Sequence, residues 1–433
     1  MALNLHRILP RAVTLVLAMA LGGGALANPA PAGENWLTSW YAAPQAGWDS
    51  SFPLPMQVPA YLDNQSLRET VRLGVGGHRI RLVFSNRYGR EPLTIGAARV
   101  RLADDGHAGQ ALTFSGRRAV SIRPGETATS DPVAVRVPAL ARLVVTSWLP
   151  GRTAVTSFHW GAQQTIELVP GDATAAVAMP AGTAVAGRLF LSAVQVEAGG
   201  HGRTVVTLGD SITDGKGSTP DADRRWPDFL AQRLAPHGMA VANAGISGGR
   251  LARDGMGQSA LSRLQDDVLD QPGVSDVIVL LGINDIGWPG SPFAPAERAA
   301  TLDELTSAYR QLVAAAHARH VRVTAGTLPP FEGALEGTPY AGHYSAAKER
   351  LRDEFNAWIR TAGIFDGVVD FDAVLRDPAR PRRLQAGFDS GDHLHPGDAG
   401  YRAMAAAIDT PSLLRRAGQR EETVPGAQPK PVR

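Results

Sequence analysis

The chain has 433 residues, 44% of them hydrophobic and 19% charged, with a formal net charge of +2 and no cysteine. That length exceeds what one hydrophobic core organises, so two domains are expected, and the composition is that of a globular chain and not a disordered one. The missing cysteine excludes a disulfide framework, a thiol nucleophile and thiolate metal sites.

The first residues read as an export signal. His6, Arg7 and Arg11 form a basic lead, Ala12 to Leu21 an apolar run, and Ala25-Leu26-Ala27 a small-x-small cleavage pattern. Ten apolar residues are too few to span a bilayer. The expectation is a signal peptide over 1–27, cut after Ala27, and a periplasmic or secreted protein with no integral membrane segment after cleavage. Residues 1–27 hold two arginines and no acid, so cleavage leaves 41 basic against 41 acidic side chains. A balanced chain gives no reason to expect nucleic acid as a partner.

From residue 34 to 198 the pattern predicts a β-sandwich or jelly-roll domain. Arg79 to Phe84, Val133 to Val137, Leu143 to Trp148 and Leu189 to Val196 are short β-rich runs, several alternating polar with apolar. Gly76-Gly77, Pro124-Gly125 and Pro150-Gly151 punctuate them as turns, and a glycine-rich stretch at 199–202 reads as a linker. The period then changes. Thr204 to Leu208, Met239 to Ala244, Asp276 to Leu281, Val321 to Leu328 and Gly367 to Phe371 have the apolar character of buried parallel strands. Helical patterns over Trp226 to Leu234, Glu297 to Ala318 and Ala346 to Ile359 lie between them. This predicts an α/β domain over 204–413, a three-layer parallel sheet with its chemistry at the carboxyl ends of the strands. A polar, proline-rich tail over 414–433 is expected to be disordered.

Four strand-end loops carry candidate chemistry. The first strand runs into Gly209-Asp210-Ser211, which puts a serine hydroxyl on a sharp strand-to-helix turn; alone, the block also reads as a helix N-cap or a phosphate loop. Near the other end stands Asp392-His393-Leu394-His395. An aspartate three residues before a histidine on a loop suits a carboxylate that fixes an imidazole, which then takes the serine's proton. His393 is the weaker base because its side chain projects away from that of His395. The alternatives for this loop are a zinc site, which lacks a third ligand at metal spacing, and a helix cap. Between these ends lie Asn243-Ala244-Gly245 and Gly282-Ile283-Asn284-Asp285, which offer a backbone N–H at Gly245 and the side-chain amide of Asn284 to a developing oxyanion.

Together the blocks resemble the SGNH (GDSL-type) hydrolase family, over roughly Thr204 to Asp409. The resemblance implies a flavodoxin-like fold and a serine ester hydrolase, with Ser211 as nucleophile, His395 as base and Asp392 as its orienting acid. It also implies an oxyanion hole of the Ser211 N–H, Gly245 N–H and Asn284 side chain, with no metal and no cofactor. One competing signal is Gly245-Ile246-Ser247-Gly248-Gly249, a Gly-x-Ser-x-Gly elbow pointing to Ser247. That choice leaves Gly-Asp-Ser and Asn284 without a role. Trp36 to Trp40, Arg68-Glu69-Thr70 and Ser85 to Gly89 resemble the β-rich domain of a two-domain branch of these esterases, some of which accompany xylan-degrading enzymes. The expected substrate is therefore an acetyl or short acyl ester of a small molecule or polysaccharide. A lipase or lysophospholipase, a sugar O-acetyltransferase and a non-catalytic carbohydrate binder are the alternatives. Trp40, Trp148 and Trp160 are candidates to stack on sugar, or else to fill the β core.

Overall fold

The structure, a computed structural model, describes residues 35–415 except Asp49 and His201. The expected signal segment and the tail beyond Arg415 lie outside the described residues; Leu414 closes a short helix, Thr410–Leu414. No helix among the described residues is long and apolar enough to cross a membrane.

The first half is built from antiparallel strands. One sheet is ordered Trp36–Tyr41, Leu191–Glu197, Gly77–Ser85, Thr127–Thr129, with Val133–Val137 also paired to Gly77–Ser85. A second, six-stranded sheet has Gln65–Arg72 and Arg142–Leu149 at its centre. Alternation explains the pairing: Ile80, Leu82 and Phe84 are buried on one face of their strand and share one apolar cluster with Leu67, Val71, Val145 and Ile166 of the other sheet. The expected strand Leu189 to Val196 is broken at Phe190, whose φ of 66° takes the backbone out of extended conformation.

The second half is a doubly wound parallel sheet. Its order is Met239–Gly245, Arg203–Gly209, Val274–Leu280, Arg322–Gly326, Gly367–Val369. The chain winds outward in both directions from Arg203–Gly209. Right-handed crossovers therefore put the helix Trp226–Leu234 on one face and Leu302–Ala318 on the other. Trp226–Leu234 agrees with its expected span, whereas the helix expected from Glu297 begins at Leu302. There Thr301 and Glu304 form a reciprocal capping box, while Glu297 is drawn to Arg250 and Arg253. Strands in this sheet are buried on both faces, which is why they read as continuous apolar runs.

Register sets the site. Gly209 pairs with Gly245 on one side and with Leu280 on the other, so three strands end level. Arg263, fully buried, fastens this edge: its guanidinium donates to the Ala244 and Gly209 carbonyls and to Asp267. Asp267 also accepts from Tyr41 of the strand-rich half at 2.8 Å, and Arg87 reaches Asp266 and Asp267. Ser85 to Gly89 thus serves as a docking element: Tyr88 donates to Gln258 across the same junction. Removing one member of a buried ion pair strands the other. Arg263→Met is expected to destabilise the fold by about 3–5 kcal/mol, measured by urea unfolding at neutral pH. A loss under about 1 kcal/mol would mean that the clamp contributes no more than a surface pair.

Candidate active site

Ser211 opens a helical turn, Ser211–Asp214, capped by the side chain of Asp210 on the Ile212 N–H. Its Oγ lies 2.8 Å from Nε2 of His395, and Nδ1 of the same ring lies 2.7 Å from Asp392. An ionised carboxylate only accepts, so Nδ1 carries the hydrogen and Nε2 turns its lone pair to the serine hydroxyl. Asp392 is also tied to its own loop, accepting from the Leu394 and His395 backbone N–H groups. Burial pushes the Asp392 carboxyl up. The hydrogen bond and charge of His395, with the two backbone donors, outweigh that and hold it well below the usual carboxylate range. His393 faces elsewhere, paired with Asp389. Among the described residues no group of three or more His, Asp or Glu side chains is arranged to hold a metal ion.

The expected donors divide. The Ser211 N–H has no acceptor among the described residues and stands at the start of its turn. Asn284 lines the same cavity and gives one amide hydrogen to the Gly249 carbonyl at 3.1 Å, which orients the group and leaves the other hydrogen free. Gly245 does not fit its expected role. Its N–H is donated to Asn243 Oδ1 at 2.9 Å, and a Cβ at this position would stand 2.4 Å from the Asp214 backbone nitrogen. Close packing requires glycine there. Three residues on, Gly248 lines the cavity in a left-handed conformation (φ 73°), and its N–H has no acceptor among the described residues.

Ser247 also lines the cavity, but its hydroxyl donates to Asp214 at 2.7 Å. The other Asp214 oxygen meets Nε2 of His159, whose Nδ1 bonds the Ala43 carbonyl. Ser247 faces a carboxylate, with the imidazole on the far side, so no ring nitrogen is positioned to take its proton. His159 comes from the strand-rich half, and nothing in its spacing marked it.

The cavity, about 390 Å³, is walled by both halves of the chain. Gln57, Trp160, Gln163 and Gln164 come from the strand-rich half; Trp288, Phe293 and Tyr340 from the other. Phe293 stacks between Trp288 and Tyr340 at 5.1 and 5.2 Å. Of the three candidate tryptophans only Trp160 reaches the cavity: Trp40 is buried in the strand-rich core and Trp148 bonds Asn64.

Beneath the serine lie two buried acids. Burial pushes the Asp210 carboxyl up to about 7, helped by the nearby charge of Asp285, and burial pushes Asp285 to about 7 as well. One Asp210 oxygen has no partner among the described residues, so no donor there stabilises its charged form. A carboxyl raised above its unfolded value of about 3.9 favours folding fully below that pH, and the contribution is lost as pH rises to about 7. Asp210→Asn should therefore flatten the fall in unfolding free energy between pH 4 and pH 7, as read by urea titrations at several pH values. An unchanged slope would contradict this protonation.

Residues 207–403 match the family model described as GDSL-like Lipase/Acylhydrolase family. No curated protein matches the chain. Solved structures resemble about half of it. An acetyl xylan esterase from Geobacillus stearothermophilus is 23% identical, covering 50% of this chain and 98% of its own, at a TM-score of 0.38. An aryl esterase from M. smegmatis is 19% identical, covering 47% and 95%, at 0.38. A GDSL-like lipase from Bacteroides thetaiotaomicron is 20% identical, covering 49% and 88%, at 0.37.

Proposed function

We propose that this chain, whose residues 207–403 belong to the GDSL-like lipase/acylhydrolase family, is an exported carboxylic ester hydrolase that acts through an acyl intermediate on Ser211. The observation that carries the assignment of the nucleophile is the hydrogen-bonded series Ser211–His395–Asp392 at 2.8 and 2.7 Å. As Ser211 Oγ bonds to the ester carbonyl carbon, its proton passes to His395 Nε2, and Asp392 stabilises the imidazolium. The carbonyl oxygen becomes an oxyanion, received by the Ser211 and Gly248 N–H groups and the free hydrogen of Asn284 Nδ2; one such donor is worth ~10²–10³ in rate. Gly248 replaces Gly245 in this role. Collapse breaks the bond to the leaving alcohol, which takes the proton from His395. Water then attacks the acyl-serine, gives its proton to His395, and the acid leaves as the proton returns to Ser211 Oγ.

In this reading the substrate is an acetyl or short acyl ester of a carbohydrate. The aromatic lining of Trp160 and Tyr340 suits a sugar ring, and the amide of Gln57 suits its hydroxyls. The β-rich half acts as one wall of the site, and the signal over 1–27 takes the chain out of the cytoplasm.

Ser211→Ala is expected to abolish hydrolysis of p-nitrophenyl acetate, while Ser247→Ala keeps much of it. Initial rates of p-nitrophenol release decide, and the reverse pattern would move the nucleophile to Ser247.

A further inference from the structure

His343 lies in the loop before the helix Ala346–Thr361 and lines the cavity that holds Ser211, yet no step above uses it. Its side chain is 1% exposed, and neither ring nitrogen has a hydrogen-bond partner among the described residues. Burial lowers its pKa to about 3, helped by the charges of Lys348 and His395, so the ring is neutral. Its place is held firmly. Phe331 meets it edge-on at 6.2 Å. Gly287, in the turn that follows Asn284, leaves the room it occupies, since a Cβ there would stand 2.2 Å from Nε2. Lys348 ties the two segments, donating to the carbonyls of Gly287 and Gly342 at 2.6 and 2.7 Å.

A buried polar ring without a partner costs free energy that an apolar ring of the same shape would not. The cost is offset if a ligand uses the ring. A neutral imidazole offers one donor and one acceptor, the complement of a hydroxyl; carbonyl and ether oxygens only accept. In a simple acyl ester the acyl group's one polar atom outside the scissile bond is the carbonyl oxygen, which the oxyanion donors already serve. The remaining polar atoms belong to the alcohol.

We propose that His343 is a specificity residue whose imidazole hydrogen-bonds a hydroxyl on the alcohol side of the ester, beside the scissile bond. The enzyme then favours monoesters of vicinal diols, sugars among them, over esters of alcohols with no second hydroxyl. This rests on the esterase reading above and names the feature of the alcohol that the site selects.

Two probes differ only in that feature: cyclohexyl acetate and the monoacetate of trans-cyclohexanediol with adjacent hydroxyls. The readout is the ratio of their kcat/KM values. The wild type should favour the diol monoacetate by about ten-fold. His343→Phe should bring the ratio near one, and His343→Gln, which keeps a donor and an acceptor, should restore part of it. A wild-type ratio near one, or a ratio that His343→Phe leaves unchanged because both esters are lost equally, would overturn the proposal. Ser211→Ala assayed alongside separates the two layers. If it still turns over both esters, the assignment of Ser211 as the nucleophile falls, and this inference about the cavity around it falls with it. If it is inactive and the ratio ignores His343, only the inference falls.

Discussion

The proposed nucleophile and oxyanion donors hang on the level ends of three parallel strands. Because Gly209, Gly245 and Leu280 lie side by side in register, the loops that follow leave the sheet together, and Ser211, Gly248 and Asn284 converge without any of them being near in sequence. The strand order puts this edge at the point where the chain winds away in opposite directions, the place where an open α/β sheet leaves a crevice. The buried guanidinium of Arg263 ties the ends together by bonding the Ala244 and Gly209 carbonyls of two strands, and a last loop brings His395 back across the crevice to the serine.

The strand-rich half is part of the same construction. Tyr41 and Arg87 meet the aspartate that also holds Arg263, so the clamp beneath the serine and the junction of the two halves share one carboxylate. His159 reaches Asp214 at the end of the Ser211 turn, and the next residues, Trp160 and Gly161, form cavity wall. A group bonded to the Ser211 turn and a group that faces the cavity are thus neighbours in sequence, and a shift of the strand-rich half would be felt at both.

What was legible in the sequence follows from how local the signal is. The buried strands and the helix Trp226–Leu234 are periodic runs, and Asp392 and His395 stand only three residues apart, so both could be read from the chain alone. Gly245 is the natural choice for a donor because it is the first glycine at the end of its strand. A local bond from its N–H to Asn243 consumes that donor, and the chain needs three more residues to reach the cavity at Gly248. The tandem glycines at 248 and 249 were the available hint. His159, His343 and the aromatic stack of Trp288, Phe293 and Tyr340 carry no spacing signal, because their partners are distant in the chain and only the fold brings them together.

Acyl transfer at this site depends on which groups receive the oxyanion. A crystal structure of the enzyme inhibited by a methylphosphonate ester tests it directly, since the phosphonyl oxygen stands where the oxyanion forms. The account predicts phosphorus bonded to Ser211 Oγ, with that oxygen about 3 Å from the Ser211 and Gly248 nitrogens and from Asn284 Nδ2. Phosphorus on Ser247, or the oxygen seated on the Gly245 N–H with the Asn243 bond broken, would contradict it.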